Sequence, residues 1–249
     1  MIVSVGSVRG APGATSWALL LAAAWPAELD IERVVIEADP AGGVLGARYG
    51  LGVDPGIVRF VTSVRRNGSS ELRVDEIARR VADDLWVLPA PETPERCRAV
   101  WTDNALPIAQ RLTGDERVWV VDVGRTDVTN PSLAFIDHAM TSVLVCRSRP
   151  EDLVQLPSRI DSLRATSGGS FGVLVAGAGG FAADEVASFA GADQAWVVKE
   201  ASDVIDEVGQ ILSGRRGRRS WLWRQALVVG DDVARASLAR QRESARDGR

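Results

Sequence analysis

Residues 6–16 read Gly6-Ser7-Val8-Arg9-Gly10-Ala11-Pro12-Gly13-Ala14-Thr15-Ser16, a glycine-rich stretch ending in two hydroxyl side chains. A short apolar run, Ile2 to Val5, precedes it, and an Ala/Leu-rich run from Trp17 to Trp25 follows. Strand, glycine turn and helix in that order build an anion cradle, because the turn and the first helical turn present free backbone N–H groups to a phosphate. The chemistry usually done in such a cradle needs a lysine on the terminal phosphates. Ala14 holds that place here, and the one lysine of the chain is Lys199, far downstream. The Thr15 hydroxyl stands where Mg²⁺ is held in such loops. Asp122, closing the apolar run Val118-Trp119-Val120-Val121, could hold the same ion directly or through water. A further acidic run, Val34-Val35-Ile36-Glu37-Ala38-Asp39-Pro40-Ala41-Gly42-Gly43, adds two carboxylates at the end of another strand.

Those groups need a scaffold that gathers strand ends. Apolar runs at 2–6, 33–38, 85–88, 117–122, 142–147, 171–176 and 195–198 read as strands. Helical patterns lie near 15–25, 74–82, 94–112, 151–166, 183–190 and 202–212, with a last helix at 231–246. The strands are continuously apolar rather than alternating, so both of their faces are buried, as in a mostly parallel sheet covered by helices. Right-handed crossovers then give an α/β fold with a doubly wound sheet. Ligands in such sheets sit at the carboxyl ends of the strands, where the loop, Asp39 and Asp122 all fall. There is no internal repeat and no linker. Residues 65–70 and 214–219 read as exposed loops, so 1–213 forms the main domain and 214–249 a basic loop with a C-terminal helix packed on it.

The loop resembles the deviant Walker A motif of the ParA/MinD superfamily, Lys-Gly-Gly-x-Gly-Lys-Thr-Thr. Aligned on Gly13, Arg9 replaces the signature lysine, Gly10 and Ala11 stand for the two glycines, Ala14 replaces the core lysine, and Thr15 and Ser16 match the hydroxyls. The variant with both lysines replaced resembles the branch of the CpaE/TadZ pilus-assembly proteins and actinobacterial septum-site or chromosome-partitioning homologues. The run ending Glu37-Ala38-Asp39-Pro40 is similar to the second acidic motif of the family, and the run ending in Asp122 to its Walker B strand. Ser142 to Arg149, followed by Pro150-Glu151-Asp152-Leu153, is similar to the next strand and helix. These motifs cover most of residues 1–200 in order.

The resemblance implies a P-loop NTPase-like single domain. It implies nucleotide on Gly10, Ala11, Gly13, Ala14, Thr15 and Ser16, with Mg²⁺ on Thr15 and Asp122. It implies Asp39 orienting the attacking water with Glu37 as its partner, and a homodimer in which the signature position reaches the other subunit's phosphates. An arginine at that position is always charged and bidentate, so Arg9 could offset the loss at Ala14; alternatively it pairs locally on the loop surface. Losing a transition-state contact of the lysine kind costs ~2.7–4 kcal/mol, or about 10²–10³ in rate. Pro12 also removes one N–H from the turn. The expectation is therefore weak ATP and Mg²⁺ binding, or none, and at most a weak ATPase. The asparagine common after the second acidic motif is absent.

Other residues carry plainer readings. Asp39-Pro40 also suits a turn before Gly42-Gly43. His138, the sole histidine, has no cluster around it, and Ser16 has no His/Asp relay. Gly177-Ala178-Gly179-Gly180 borders either a base pocket or a plain loop. Cys97 and Cys146 are too few for a disulfide framework and read as buried thiols of a reducing compartment.

Hydrophobic content of 46% and charged content of 25% suit a soluble globular protein, and a net charge of −4 argues against coating nucleic acid over the whole surface. Strand residues directly after Met1 argue against a signal peptide, and no apolar run approaches the ~20 residues of a bilayer span. A cytoplasmic protein, peripheral at most to membrane or nucleoid, is expected. Arg215, Arg216, Arg218, Arg219, Trp221, Trp223 and Arg224 form a basic, aromatic segment without acids, of a kind that suits DNA or anionic lipid. The favoured reading is a solvated loop with its tryptophans packed back on the domain.

Three functions follow. The first is a ParA/MinD-like positioning or assembly protein with a degenerate site, serving a pilus, secretion, septum or chromosome apparatus through protein partners. The second is a genuine ATP-cycling partitioning ATPase that dimerises on ATP. The third is a dinucleotide-binding oxidoreductase with Glu37 on a ribose, disfavoured because no Gly-x-Gly-x-x-Gly spacing is present.

Overall fold

A computed structural model describes residues 1–10, 13–67, 72–177, 180–199, 204–214 and 217–247. In chain order the first half runs β1 (Ile2–Ser7), α1 (Ala14–Ala23), β2 (Arg33–Glu37), α2 (Leu45–Tyr49), α3 (Ile57–Asn67), α4 (Val74–Ile77), β3 (Arg79–Ala82), β4 (Leu85–Leu88), α5 (Pro94–Thr102), α6 (Ala105–Leu112) and β5 (Val118–Arg125). The second half runs α7 (Leu133–Asp137), β6 (Thr141–Arg147), α8 (Pro150–Leu153), α9 (Leu156–Arg164), β7 (Ser170–Ala176), α10 (Ala183–Ala190), β8 (Gln194–Val198), α11 (Val204–Ser213) and α12 (Trp221–Asp247).

The eight strands form one sheet in the order β3-β4-β2-β5-β1-β6-β7-β8, parallel except for the antiparallel edge strand β3. Successive residues of a strand point to opposite faces, and each face has its own core. In β5, Trp119, Val121 and Val123 join Phe60, Trp101 and Phe135 on one face, while Val118 and Val120 join Leu19, Trp25 and Val233 on the other. Helices α3, α5, α6, α7, α9 and α10 supply the first core, and α1, α11 and α12 the second. The helix α1 is apolar all round because it lies between the sheet and α11 and α12.

The seven expected strands are all present. The segment 74–82, read as one helix, is instead one helical turn followed by β3, because Arg79 to Ala82 pair with β4 at the sheet edge. The helical stretch 94–112 divides between α5 and α6, and 151–166 between α8 and α9. The helix α3 occupies residues expected in part to be loop; its apolar face is Ile57, Phe60, Val61 and Val64.

The last helix begins ten residues before the expected start, and it carries an apolar stripe that its many arginines disguise. Leu222, Trp223, Ala226, Val229, Val233 and Ala234 are buried against α1 and the sheet. Asp232 accepts hydrogen bonds from Trp196 Nε1 at 3.0 Å and Gln194 Nε2 at 2.9 Å, fastening α12 to β8. Among the described residues no helix is long and apolar enough to cross a membrane.

Where α12 crosses α1, a side chain on Gly230 would come within 2.8 Å of the Ala24 carbonyl. Gly230→Leu is therefore expected to destabilise the whole chain by about 1–3 kcal/mol, read as a lower urea midpoint. An unchanged midpoint would mean α12 is not part of the cooperative fold.

Candidate functional site

The carboxyl ends of the central strands enclose a cavity of about 870 Å³, within the range of ligand pockets. Its floor is the loop after β1. Gly10 and Gly13 sit at φ values of 90° and 88°, a left-handed backbone that glycine adopts without strain. Gly13 is the N-cap of α1, which has no side-chain cap and no acid in its first turn. Its leading N–H groups are thus free to meet an anion. Gly10, Gly13, Ala14, Thr15 and Ser16 all line the cavity; Ala11 lies outside the described residues.

Asp122 comes from the end of β5 and is buried. Its Oδ1 accepts the Gly124 N–H at 3.1 Å, and its Oδ2 has no hydrogen-bond partner among the described residues. Burial pushes this carboxyl up to about 7; the Thr15 hydroxyl works against the shift, and Asp39 adds to it. An orphaned buried carboxylate oxygen beside a threonine hydroxyl fits Mg²⁺, which takes one or two protein oxygens and fills its other positions with water and phosphate. Thr15 and Asp122 would hold the ion, and the ion would supply neutralisation of phosphate charge. Among the described residues no group of three or more His, Cys, Asp or Glu is arranged as a metal site.

The two acids after β2 have different places. Asp39 lines the cavity. Burial raises its carboxyl, and the Ala41 N–H together with Arg125 and Arg98 pull against that. It packs so closely on Gly124 that any side chain there would lie 2.2 Å from its carboxyl carbon. Glu37 does not reach the cavity wall. Its Oε1 accepts the N–H groups of Val44 at 2.6 Å and Leu45 at 3.0 Å, and its Oε2 accepts that of Ala90 at 2.9 Å. A carboxylate accepting three backbone N–H groups braces the turn after β2 against the end of β4. Every hydrogen bond of its carboxylate among the described residues comes from backbone, and none involves Asp39.

Arg9 also turns away from its own cavity. Its guanidinium donates to the Glu151 carbonyl at 3.2 Å and lies 3.8 Å from the Asp152 carboxylate, at α8. This is the local pairing that competes with a phosphate role in its own subunit.

A group of cations in the cavity has no signature in local sequence spacing. Arg48, Arg98, Arg125, Arg147 and Lys199 line the same cavity from five separate elements or element ends. Lys199 Nζ lies 5.5 Å from the Trp221 ring centre, and Ile205 and Leu222 line the same cavity. Ala176 lines the cavity too; Ala178 and Gly179 lie outside the described residues. The basic segment before α12 is divided: Arg215 and Arg216 lie outside the described residues, Trp223 is buried beneath the Arg218 guanidinium at 5.5 Å, and Arg219, Trp221 and Arg224 are exposed. His138 is the C-cap of α7, with Nδ1 3.0 Å from the Ala134 carbonyl. Cys97 and Cys146 are buried and unpaired.

No protein-family model matches the sequence, and no curated protein does. Solved structures do match. A ParA family ATPase from Chlorobium tepidum superposes with a TM-score of 0.74 at 16% identity, over 92% of this chain and 96% of that one. The cell division ATPase MinD of Pyrococcus furiosus gives 0.68 at 14%, over 94% and 97%. The septum site-determining protein MinD of Pyrococcus horikoshii, complexed with Mg-ADP, gives 0.65 at 13%, over 98% and 95%. At these identities the likeness establishes the fold: the chain has the P-loop architecture of ParA/MinD-type ATPases from end to end.

The state of Asp122 has a sign that can be measured. A carboxyl near 4 when unfolded and about 7 when folded binds its proton more tightly in the folded chain. Stability therefore falls as pH rises from about 4 to 7 and stays reduced above. Without Mg²⁺, Asp122→Asn is expected to raise the melting temperature at pH 8, by a gain on the order of a few kcal/mol, and to change it little at pH 4. Glu37→Gln is expected to destabilise the ligand-free protein at neutral pH, by about 1–3 kcal/mol for each buried N–H left without an acceptor. A purely catalytic Glu37 would leave that melting curve unchanged.

Proposed function

We propose that this protein is a ParA/MinD-like positioning or assembly factor whose ATP site binds Mg²⁺-nucleotide but hydrolyses it slowly or not at all. The observation that carries this reading is the cavity itself. A phosphate loop with free N–H groups, Thr15, Asp39 and the orphaned Asp122 oxygen face one space, while Ala14 stands where a lysine would complete it. The binding parts are kept and the lysine contact is gone. The neighbour bound to Mg-ADP supports nucleotide as the ligand class. The protein is proposed to work as a homodimer with protein partners in a septum, chromosome, pilus or secretion apparatus, free in the cytoplasm or peripheral to membrane or nucleoid. A direct grip on DNA or lipid through Arg218, Arg219 and Arg224 is the weaker reading, because Trp223 beside them is committed to the core. The dinucleotide reading finds no support in Glu37, which is hydrogen-bonded to backbone N–H groups and does not line the cavity.

Calorimetric titration with ATP·Mg²⁺ and ADP·Mg²⁺, with phosphate release followed on the same sample, tests the proposal. Binding with little release is expected, and Ala14→Lys should raise release by about 10²–10³-fold. Fast release by the unmodified protein would instead mean a genuine ATP-cycling enzyme. No heat with either nucleotide would overturn the nucleotide reading.

A further inference from the structure

The cavity lacks its loop lysine, yet it does not lack cations, and one of them is delivered by an irregularity in the sheet. The parallel pairing of β1 and β5 runs Val5 to Asp122, then slips, so that Gly6 meets Gly124 and Ser7 meets Arg125. Along β5 up to that point, odd-numbered residues face the core of α5 and α7, and even-numbered ones face α1. Uninterrupted alternation would send Arg125 to the α5/α7 face, away from the loop. The extra residue reverses the parity and sets Arg125 beside Ser7, on the loop's side. Gly124 makes the slip, at φ 66°.

The consequences are visible at the loop. Arg125 Nη2 donates to the Arg9 carbonyl at 2.9 Å. A side chain on Gly10 would come within 2.7 Å of the same Nη2, so the absence of one leaves room for the guanidinium against the loop backbone. This is the one hydrogen bond of the Arg125 guanidinium among the described residues, and a guanidinium has five N–H donors. The guanidinium of Arg98, from α5, makes no hydrogen bond or ion pair among the described residues, and the residue lines the same cavity. Both guanidiniums act on the Asp39 carboxylate. Two further buried oxygens there, Asp122 Oδ2 and Ser7 Oγ, lack partners.

We propose that Arg125, aided by Arg98, is the phosphate-binding cation of this site, a clamp built from β5 and α5 in place of the loop lysine. The ligand class is a Mg²⁺-bound polyphosphate chain, as carried by a nucleoside di- or triphosphate. The proposal rests on the cavity being a phosphate site. Arginine suits the role because its planar fork binds a phosphate through two N–H groups at once.

The full chain would be titrated with ATP·Mg²⁺, with inorganic triphosphate and Mg²⁺, and with adenosine. The same titrations would follow for Arg125→Gln, Arg98→Gln and Arg125→Lys, with Arg242→Gln on the exposed end of α12 as a charge control. Arg125→Gln is expected to raise the Kd for ATP·Mg²⁺ and for triphosphate about 10- to 100-fold. Arg98→Gln should raise both less. Adenosine affinity should not change, Arg125→Lys should recover part of the loss, and the control should match the unmodified protein. Triphosphate binding that depends on Arg125, without any preference for ATP, would keep the clamp and overturn the nucleotide reading. Tight ATP binding with Kd unchanged in Arg125→Gln would overturn the clamp and keep the nucleotide reading. Binding of neither ATP nor triphosphate by the unmodified protein would overturn both.

Discussion

The one-residue slip between β1 and β5 is the constraint on which the site depends. These strands are the centre of the sheet, and their register decides which side chains emerge beside the phosphate loop. Before the slip, strict alternation puts Asp122 on the α1 side; after it, the reversed parity puts Arg125 on that side too. An acid and a base three residues apart would otherwise point to opposite faces. The slip is in turn held by Gly124, because the Asp39 carboxylate fills the space where a side chain would stand. The acid after β2, the turn in β5 and the cation at the loop are therefore one packing arrangement.

The same arrangement bears on electrostatics. A buried carboxylate with an unsatisfied oxygen is costly unless a cation meets it. In a lysine-bearing loop a permanent charge sits nearby; here Ala14 contributes none. Asp122 is left to hold a proton or to wait for a ligand-borne ion, while Arg125 and Arg98 stand at the Asp39 side. Positive charge has moved from the floor of the cavity to its wall. On the proposed reading, that placement keeps attraction for a phosphate chain while withdrawing the contact that most directly follows the leaving oxygens during hydrolysis.

Much of the fold was legible because buried parallel strands announce themselves as continuous apolar runs and glycine-rich turns mark their ends. The exceptions have physical reasons. Arg79 to Ala82 carry too few apolar residues to signal a strand, since an edge strand has only one neighbour to satisfy. The stripe of α12 is interleaved with arginines and acids, so its apolar face appears only when the helix is wrapped onto α1. In the site, the loop, Asp39 and Asp122 were legible from local spacing. Arg125 was not: it lies 116 residues from the carbonyl it touches, and a register slip leaves no trace in spacing. Arg9 was the visible cation, but α8 supplies it with an acceptor and an acid close at hand.

Glu37 and Asp39 show why a motif is not a list of roles. Both are acids at the end of β2, and the chain between them turns out of the sheet. Glu37 still belongs to the strand, pairs with Asp122 in register, and points into a pocket of backbone N–H groups from the turn at 44–45 and from Ala90. There it replaces a missing strand ladder with side-chain acceptors. Asp39 lies past the last paired residue and, with one oxygen tied to the Ala41 N–H, keeps the other side of its carboxyl toward the arginines. The first acid makes the turn rigid enough for the second to be held against Gly124. Loss of the brace would therefore disturb the slip in β5 and with it the placing of Arg125, even though the Glu37 carboxylate hydrogen-bonds to neither.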